Sequence, residues 1–256
     1  MNKKELLEFY NEHGWVKIEG FFDKKGVDQI LENLGTFVKS EAPTLTGKDI
    51  NLASDKLVNS IHNLETQDHQ FFYDFIRSER NLDLATIFLR ERAVARHAEF
   101  FAKPAKTGMR SPYHQDNHYW CLLPMEPLTA ITVWVALDIC DETNGGISYI
   151  DGSHKLGLLE HKNSYAPGSS QTVADLSKFS NLKEVTPSLQ PGDILVHDAL
   201  TVHFSNDNKS NRSRRGLTMQ FQSKDAYLDE AMNERYLSAL DKQVKMRQDQ
   251  AKSNRV

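Results

Sequence analysis

Residues 131–138 read Ile-Thr-Val-Trp-Val-Ala-Leu-Asp, and this alternation is what most narrows the folds open to the chain. Successive side chains on a strand point to opposite faces, so Ile131, Val133, Val135 and Leu137 share one face. Turn signals recur after it, at Asn144-Gly145-Gly146, Asp151-Gly152-Ser153, Pro167-Gly168 and Pro191-Gly192-Asp193. Short apolar runs lie between them, at 147–150 and 194–197, and together these predict antiparallel strands folded into a sandwich or barrel. Before about Ala95 the pattern is helical. Leu6, Leu7 and Tyr10 suit a short helix with Gly14 at its C-cap, and 15–18 then alternates like a strand. Asp23 is placed to cap a helix carrying Val27, Ile30, Leu31, Leu34 and Val38, and two more helices are expected through Phe71–Ile76 and Leu82–Phe88. A polar stretch at 42–55 reads as a loop.

The expected fold is therefore mainly β with flanking helices, a jelly-roll (double-stranded β-helix, cupin-like) core backed by a helical layer. One domain over 1–256 is expected. In it, 1–94 is mostly helical support, 95–222 the jelly-roll core and 223–256 a C-terminal helix or tail. A length of 256 residues suits one domain of this kind.

Charge and composition exclude several function classes. The net charge of -4 argues against a nucleic-acid-binding surface. Five basic residues among the last fifteen are diluted by Gln and Asp and read as a solvated helix end or frayed tail. No apolar run approaches the roughly 20 residues of a membrane span. The two cysteines, Cys121 and Cys140, have no paired spacing, which fits a reducing, cytoplasmic setting rather than a disulfide framework. The expected partner is a small-molecule substrate; the sequence does not give an oligomeric state.

The chemistry begins at Ser111-Pro112-Tyr113-His114-Gln115-Asp116. On a strand, His114 and Asp116 would face the same way and could grip one ion together. A second imidazole would complete the facial triad of non-haem Fe(II) oxygenases, leaving three coordination positions for a bidentate 2-oxoacid and O2. The turn and apolar strand at 191–198 lead to His203, with His197 as its rival. His203 is favoured because Ser205 and Arg214 then fall at useful positions, and His197 is expected to be hydrogen-bonded in the wall. A 2-oxoglutarate co-substrate carries a distal carboxylate, which an arginine fork suits. In the strand beginning Arg214-Arg215, the face of Arg214, Gly216, Thr218 and Gln220 leaves room for a ligand, while Arg215, Leu217, Met219 and Phe221 face the helical layer. Arg214 is favoured, with Arg215 as rival. Lys103, Lys106 and Arg110 read as a solvated loop, and the stretches 42–55 and 161–175 as possible lids.

At these residues the chain resembles the phytanoyl-CoA dioxygenase family of Fe(II)/2-oxoglutarate oxygenases. His114-Gln115-Asp116-Asn117-His118-Tyr119-Trp120 resembles the family's first iron motif. The stretch 144–155 resembles its Asn-Gly…Pro-Gly-Ser-His turn, with Asp151 where a proline is usual. Pro191-Gly192-Asp193, His203, Ser205 and Arg214 resemble its final segment, and Phe9-Tyr10 with His13-Gly14-Trp15-Val16 its opening. The resemblance implies iron on His114, Asp116 and His203. It implies 2-oxoglutarate held by Arg214 and Ser205, with Trp120 lining the co-substrate pocket. Trp134, where the family also has a tryptophan, is expected in the core; His118 is expected behind the metal or facing substrate, and His154 to stabilise its own turn. The carboxylate at 116 occupies the place where halogenating relatives have a small residue, so hydroxylation is the expected chemistry. The competing expectation is a cupin-type binding or isomerase module that turns over no 2-oxoglutarate.

Overall fold

The computed structural model describes residues 2–45, 49–52, 57–66, 70–126, 129–164 and 171–253, with side chains described up to 242. The elements in order are α1 (Lys3–His13), β1 (Trp15–Ile18), α2 (Lys24–Ser40), β2 (Ile50–Leu52), β3 (Val58–Ile61), α3 (Gln70–Ile76), α4 (Glu79–Leu89), β4 (Ala93–Lys103) and β5 (Ser111–His114). Then come α5 (Asp116–Trp120), β6 (Leu122–Leu123), β7 (Ala130–Ala136), β8 (Ile147–Ile150), β9 (His161–Asn163), β10 (Gln171–Val173) and β11 (Glu184–Val185). The chain closes with β12 (Ile194–Asp198), β13 (His203–Ser205), β14 (Arg214–Ser223), β15 (Tyr227–Leu228) and α6 (Glu230–Ser253).

Two antiparallel sheets form the core. The larger runs β1-β12-β7-β14-β4-β3-β2 and the smaller β11-β8-β13-β5. From β4 on, the chain shuttles between them, with β4, β7, β12 and β14 in one and β5, β8, β11 and β13 in the other, which is the winding of a jelly roll. The larger sheet shows why alternation mattered. Ile131, Val133 and Val135 of β7, Ile194 and Val196 of β12, and Leu217, Met219 and Phe221 of β14 face outward. They pack against Tyr10 of α1, Val27, Ile30, Leu34 and Phe37 of α2, Phe72 and Ile76 of α3, and Leu84 and Phe88 of α4. Each such side chain, fully buried, contributes roughly 1.5–3 kcal/mol. The opposite face looks into the roll, where Trp134, Ala136 and Leu195 meet Ile147 and Tyr149 of the smaller sheet.

Local signals are seen where the sequence puts them. Gly14 ends α1 at φ 77°, and the Asp23 carboxylate caps α2 by accepting from the Gly26 N–H. Gly192 has φ +92°, and a Cβ there would lie 2.0 Å from the Phe22 carbonyl oxygen, so the turn into β12 requires glycine.

Several expectations need correction. In the N-terminal part the strand expected at 15–18 is β1, paired with β12, whereas β3, which no alternation signalled, pairs with β4. The stretch 42–55 holds β2, too short and too little alternating to be seen as a strand; its residues 46–48 and 53–55 lie outside the described residues, as do Pro167-Gly168 and the tip of the 161–175 lid candidate. Lys103 is not on a solvated loop. It ends β4 at 3% exposure, and its ammonium donates to the carbonyls of Met109, Ser205 and Asn206. His154 reaches the Asn11 carbonyl at the end of α1 (3.1 Å) rather than its own turn.

Candidate metal centre

His114 ends β5, and the strand stops there because Gln115 turns inward. Its side chain is fully buried and donates to the carbonyls of Gly157 and Leu200. Asp116 therefore opens the short helix α5 instead of continuing the strand, which corrects the strand geometry expected for the pair. The two side chains still converge, and β13 brings His203 opposite His114 in register. One potential ligand atom from each of His114, Asp116 and His203 lies within 4.8 Å of the others.

The tautomers follow from the neighbours. His114 Nδ1 is 2.7 Å from the Pro112 carbonyl, and His203 Nδ1 is 3.0 Å from that of Thr201. A carbonyl only accepts, so each Nδ1 carries the hydrogen and each Nε2 presents its lone pair. Both Nε2 atoms face Asp116 Oδ1, at 3.9 and 3.6 Å. Burial pushes both imidazoles down to about 4, His203 further disfavouring charge on His114, so both are neutral near pH 7. Burial alone would raise the Asp116 carboxyl, but the surrounding imidazoles and the hydrogen bond from His197 outweigh it and hold it well below the usual carboxylate range. Two neutral imidazoles and one carboxylate, converging and unprotonated, are a donor set that fits Fe(II).

The three residues line an open cavity of about 110 Å³ between the sheets. Arg214, Ser205, Thr218 and Gln220 line the same cavity, as the inward face of β14 predicts. Arg214 is 3% exposed; its Nε donates to the Gly145 carbonyl (3.1 Å), and it lies over the Trp134 ring at 5.4 Å. Among the described residues no carboxylate is within ion-pair distance of it. Arg215 points the other way, its fork closed on Asp138 at 2.9 and 2.7 Å. The tryptophan on the cavity wall is Trp134, lying against Gly216, and not Trp120. Trp120 packs beside Leu122, Ala130 and Ala199, with Arg96 over its ring.

His197 is in the wall as expected, bonded to Tyr149 and Asp116. His118 stacks face to face on His161, with centroids 4.0 Å apart. Burial pushes this pair down to about 4 and about 3, with His114 opposing charge on both and His118 opposing it on His161. The sequence reading missed Glu99 and Thr132. The Glu99 carboxylate accepts from Gln220 (3.0 Å) and pairs with His62 (2.9 Å). Thr132 could have been found, because it sits on the inward face of the alternating strand.

A jelly roll with a His-Asp-His cluster facing a buried arginine that has no carboxylate partner among the described residues defines a non-haem iron oxygenase type of site. The family model described as phytanoyl-CoA dioxygenase matches residues 10–216, and the chain belongs to that family. A probable alpha-ketoglutarate-dependent hypophosphite dioxygenase of Stutzerimonas stutzeri is 28% identical over 230 residues, 85% of this chain and 78% of that protein. The human peroxisomal phytanoyl-CoA dioxygenase is 22% identical, covering 88% of this chain and 70% of its own. Among solved structures, EctD from S. alaskensis with 2-oxoglutarate and 5-hydroxyectoine superposes with a TM-score of 0.72 at 19% identity, covering 87% of this chain and 76% of that one. The carbocyclase SnoK from nogalamycin biosynthesis also gives 0.72 at 19% identity, over 88% and 85%.

Proposed function

We propose that the chain is an Fe(II)- and 2-oxoglutarate-dependent dioxygenase that hydroxylates an unactivated C–H bond of a small organic substrate. The reaction consumes O2 and 2-oxoglutarate, places one oxygen atom on the substrate and the other in succinate, and releases CO2. One observation carries this reading. His114, Asp116 and His203 converge in the same cavity that holds Arg214, a buried cation with no carboxylate of its own among the described residues. Family membership supports it.

In this reading His114 Nε2, His203 Nε2 and Asp116 Oδ1 hold Fe(II), which when bound supplies the oxygen activation that side chains lack. Arg214 pairs with the distal carboxylate of 2-oxoglutarate through its planar fork, and Ser205 assists with its hydroxyl. Trp134 is better placed than Trp120 to flank the co-substrate. Phe101, Phe204 and Ile147 exclude water from the reacting C–H bond, while Glu99, Thr218 and Gln220 give the wall enough polarity for a small, partly polar substrate. The whole chain acts as one oxygenase domain, a reading supported by the way β1 and β3 complete the larger sheet. Among the described residues no helix is long and apolar enough to cross a membrane. The two cysteines are buried and unpaired, which supports a cytoplasmic setting.

The test is anaerobic visible spectroscopy on adding Fe(II) and then 2-oxoglutarate. A charge-transfer band that needs both, and is absent in Arg214→Ala, is expected; Asp116→Ala is expected to abolish hydroxylation. No band in folded protein that binds Fe(II) would return the chain to the cupin-type alternative.

A further inference from the structure

Asp116 faces the centre of the site through one oxygen only. Its Oδ1 is the atom turned toward His114 and His203. Its Oδ2 turns back into the wall, accepting from the Thr132 hydroxyl at 2.5 Å and lying 3.1 Å from His197 Nε2. An ionised carboxylate only accepts, so His197 carries its hydrogen on Nε2. Its Nδ1, 2.9 Å from the Tyr149 hydroxyl, then accepts the phenolic hydrogen. Every donor in this chain is spent on the next acceptor, ending on Oδ2.

The parts are held from both sheets. Thr132 is on β7, His197 on β12 and Tyr149 on β8, at 3%, 1% and 0% exposure. Tyr149 stacks on Trp15 at 5.1 Å with the rings 7° from parallel, and the Trp15 indole donates to Asp151 (2.9 Å). His13 Nδ1 also lies 2.8 Å from that carboxylate. Asp151, the residue that departs from the usual proline, thus anchors the outer end of the row.

We propose that Thr132, His197 and Tyr149 are positioning residues that clamp Oδ2 of Asp116 and confine the carboxylate to one-oxygen binding through Oδ1. This rests on the metal reading above. A carboxylate free to rotate could bind through both oxygens and occupy a fourth coordination position. Held by one oxygen, it leaves three, as many as a chelating 2-oxoacid and O2 together need. Hydrogen-bonded partners of metal ligands fix ligand orientation in this way, and their loss lowers metal affinity by about 10–100-fold.

The test is titration of the full-length protein with Co(II), reading affinity by chelator competition and ligand geometry by the visible d–d bands. Thr132→Val, which removes the hydroxyl at nearly constant shape, is expected to weaken Co(II) binding by about 10–100-fold and to change the band pattern. Thr132→Ser, which keeps a hydroxyl, is expected to restore both. Tyr149→Phe keeps the ring on Trp15 but frees His197 to rotate, and is expected to shift the bands in the same sense with a smaller loss of affinity. Wild-type affinity and bands in folded Thr132→Val would overturn the clamp; should that variant not fold, the same result in Tyr149→Phe would overturn it. Failure of the wild-type protein to take up Co(II) would remove the metal reading itself, and the clamp with it.

Discussion

Asp198 is one residue beyond His197 and is 6% exposed. Burial pushes its carboxyl up to about 7, partly offset by the Leu200 N–H, which donates to it at 2.7 Å. In the unfolded chain the same group titrates near 3.8. A raised folded value means that the native state holds the proton more tightly. Its stabilising contribution is complete below the unfolded value and is lost as pH rises through about 7. Asn cannot ionise, and its carbonyl oxygen can still accept from Leu200. Asp198→Asn should therefore match the wild type in stability near pH 4 and exceed it at pH 8. At about 1.4 kcal/mol per pH unit, the gap is bounded at roughly 4 kcal/mol. Urea unfolding of both proteins at the two pH values measures it, and titrations common to both cancel in the difference. A gap that does not grow with pH would show that Asp198 titrates normally in the fold.

At the scale of elements, β14 joins the two halves of the molecule, since Leu217, Met219 and Phe221 anchor it to the helices while Arg214, Thr218 and Gln220 face the cavity. Gly216 lies between these contacts on the cavity face. A Cβ there would come within 2.0 Å of the Trp134 indole, so Gly216→Ala must push the ring into the space beside Arg214. Overpacking of this kind costs about 1–3 kcal/mol. The expected result is weakened 2-oxoglutarate binding, by about tenfold if 1.4 kcal/mol of that cost is relieved only when the ligand is absent. Titration of the charge-transfer band reads it, and unchanged 2-oxoglutarate affinity would mean that Trp134 does not border the bound co-substrate. β14 also shows what was legible in the sequence. A period of two separates the faces of β7 and β14, so the inward and outward residues, including Arg214, could be read without coordinates. The departure of Asp116 from the strand could not, because it depends on Gln115 finding the carbonyls of Gly157 and Leu200, far along the chain. Lys103 was unreadable for the same reason: its three carbonyl acceptors assemble only in the fold. Glu99 belongs to no motif, and only the pairing of β4 with β14 brings it to Gln220.

Over the whole molecule, the site fastens parts of the chain that are remote in sequence. His114 and Asp116 lie near its middle and His203 near its end, on β5, α5 and β13, whereas Arg214 belongs to the opposite, larger sheet. A metal ion would tie the residues on the smaller-sheet side to one another. 2-Oxoglutarate, held between that ion and Arg214, would add a tie between the sheets beside the one Asp116 makes to Thr132 and His197. A ligand that binds the folded state alone stabilises it by about 2.7 kcal/mol at 100 times its Kd. For a chain of this size each kcal/mol raises Tm by roughly 2–4 °C. Mn(II), a divalent probe for the same donor set, should therefore raise Tm by about 5–10 °C at that saturation, and 2-oxoglutarate should add a further increment only once the metal is present. The two increments separate by variant. Arg214→Ala should keep the Mn(II) shift and lose the 2-oxoglutarate shift, whereas Asp116→Ala should lose both, because the second ligand depends on the first. Thermal melts followed by circular dichroism decide this. A full 2-oxoglutarate increment in Arg214→Ala would move the distal carboxylate to another residue, and an increment without metal would mean that the co-substrate does not bridge the sheets through the His114, Asp116 and His203 site.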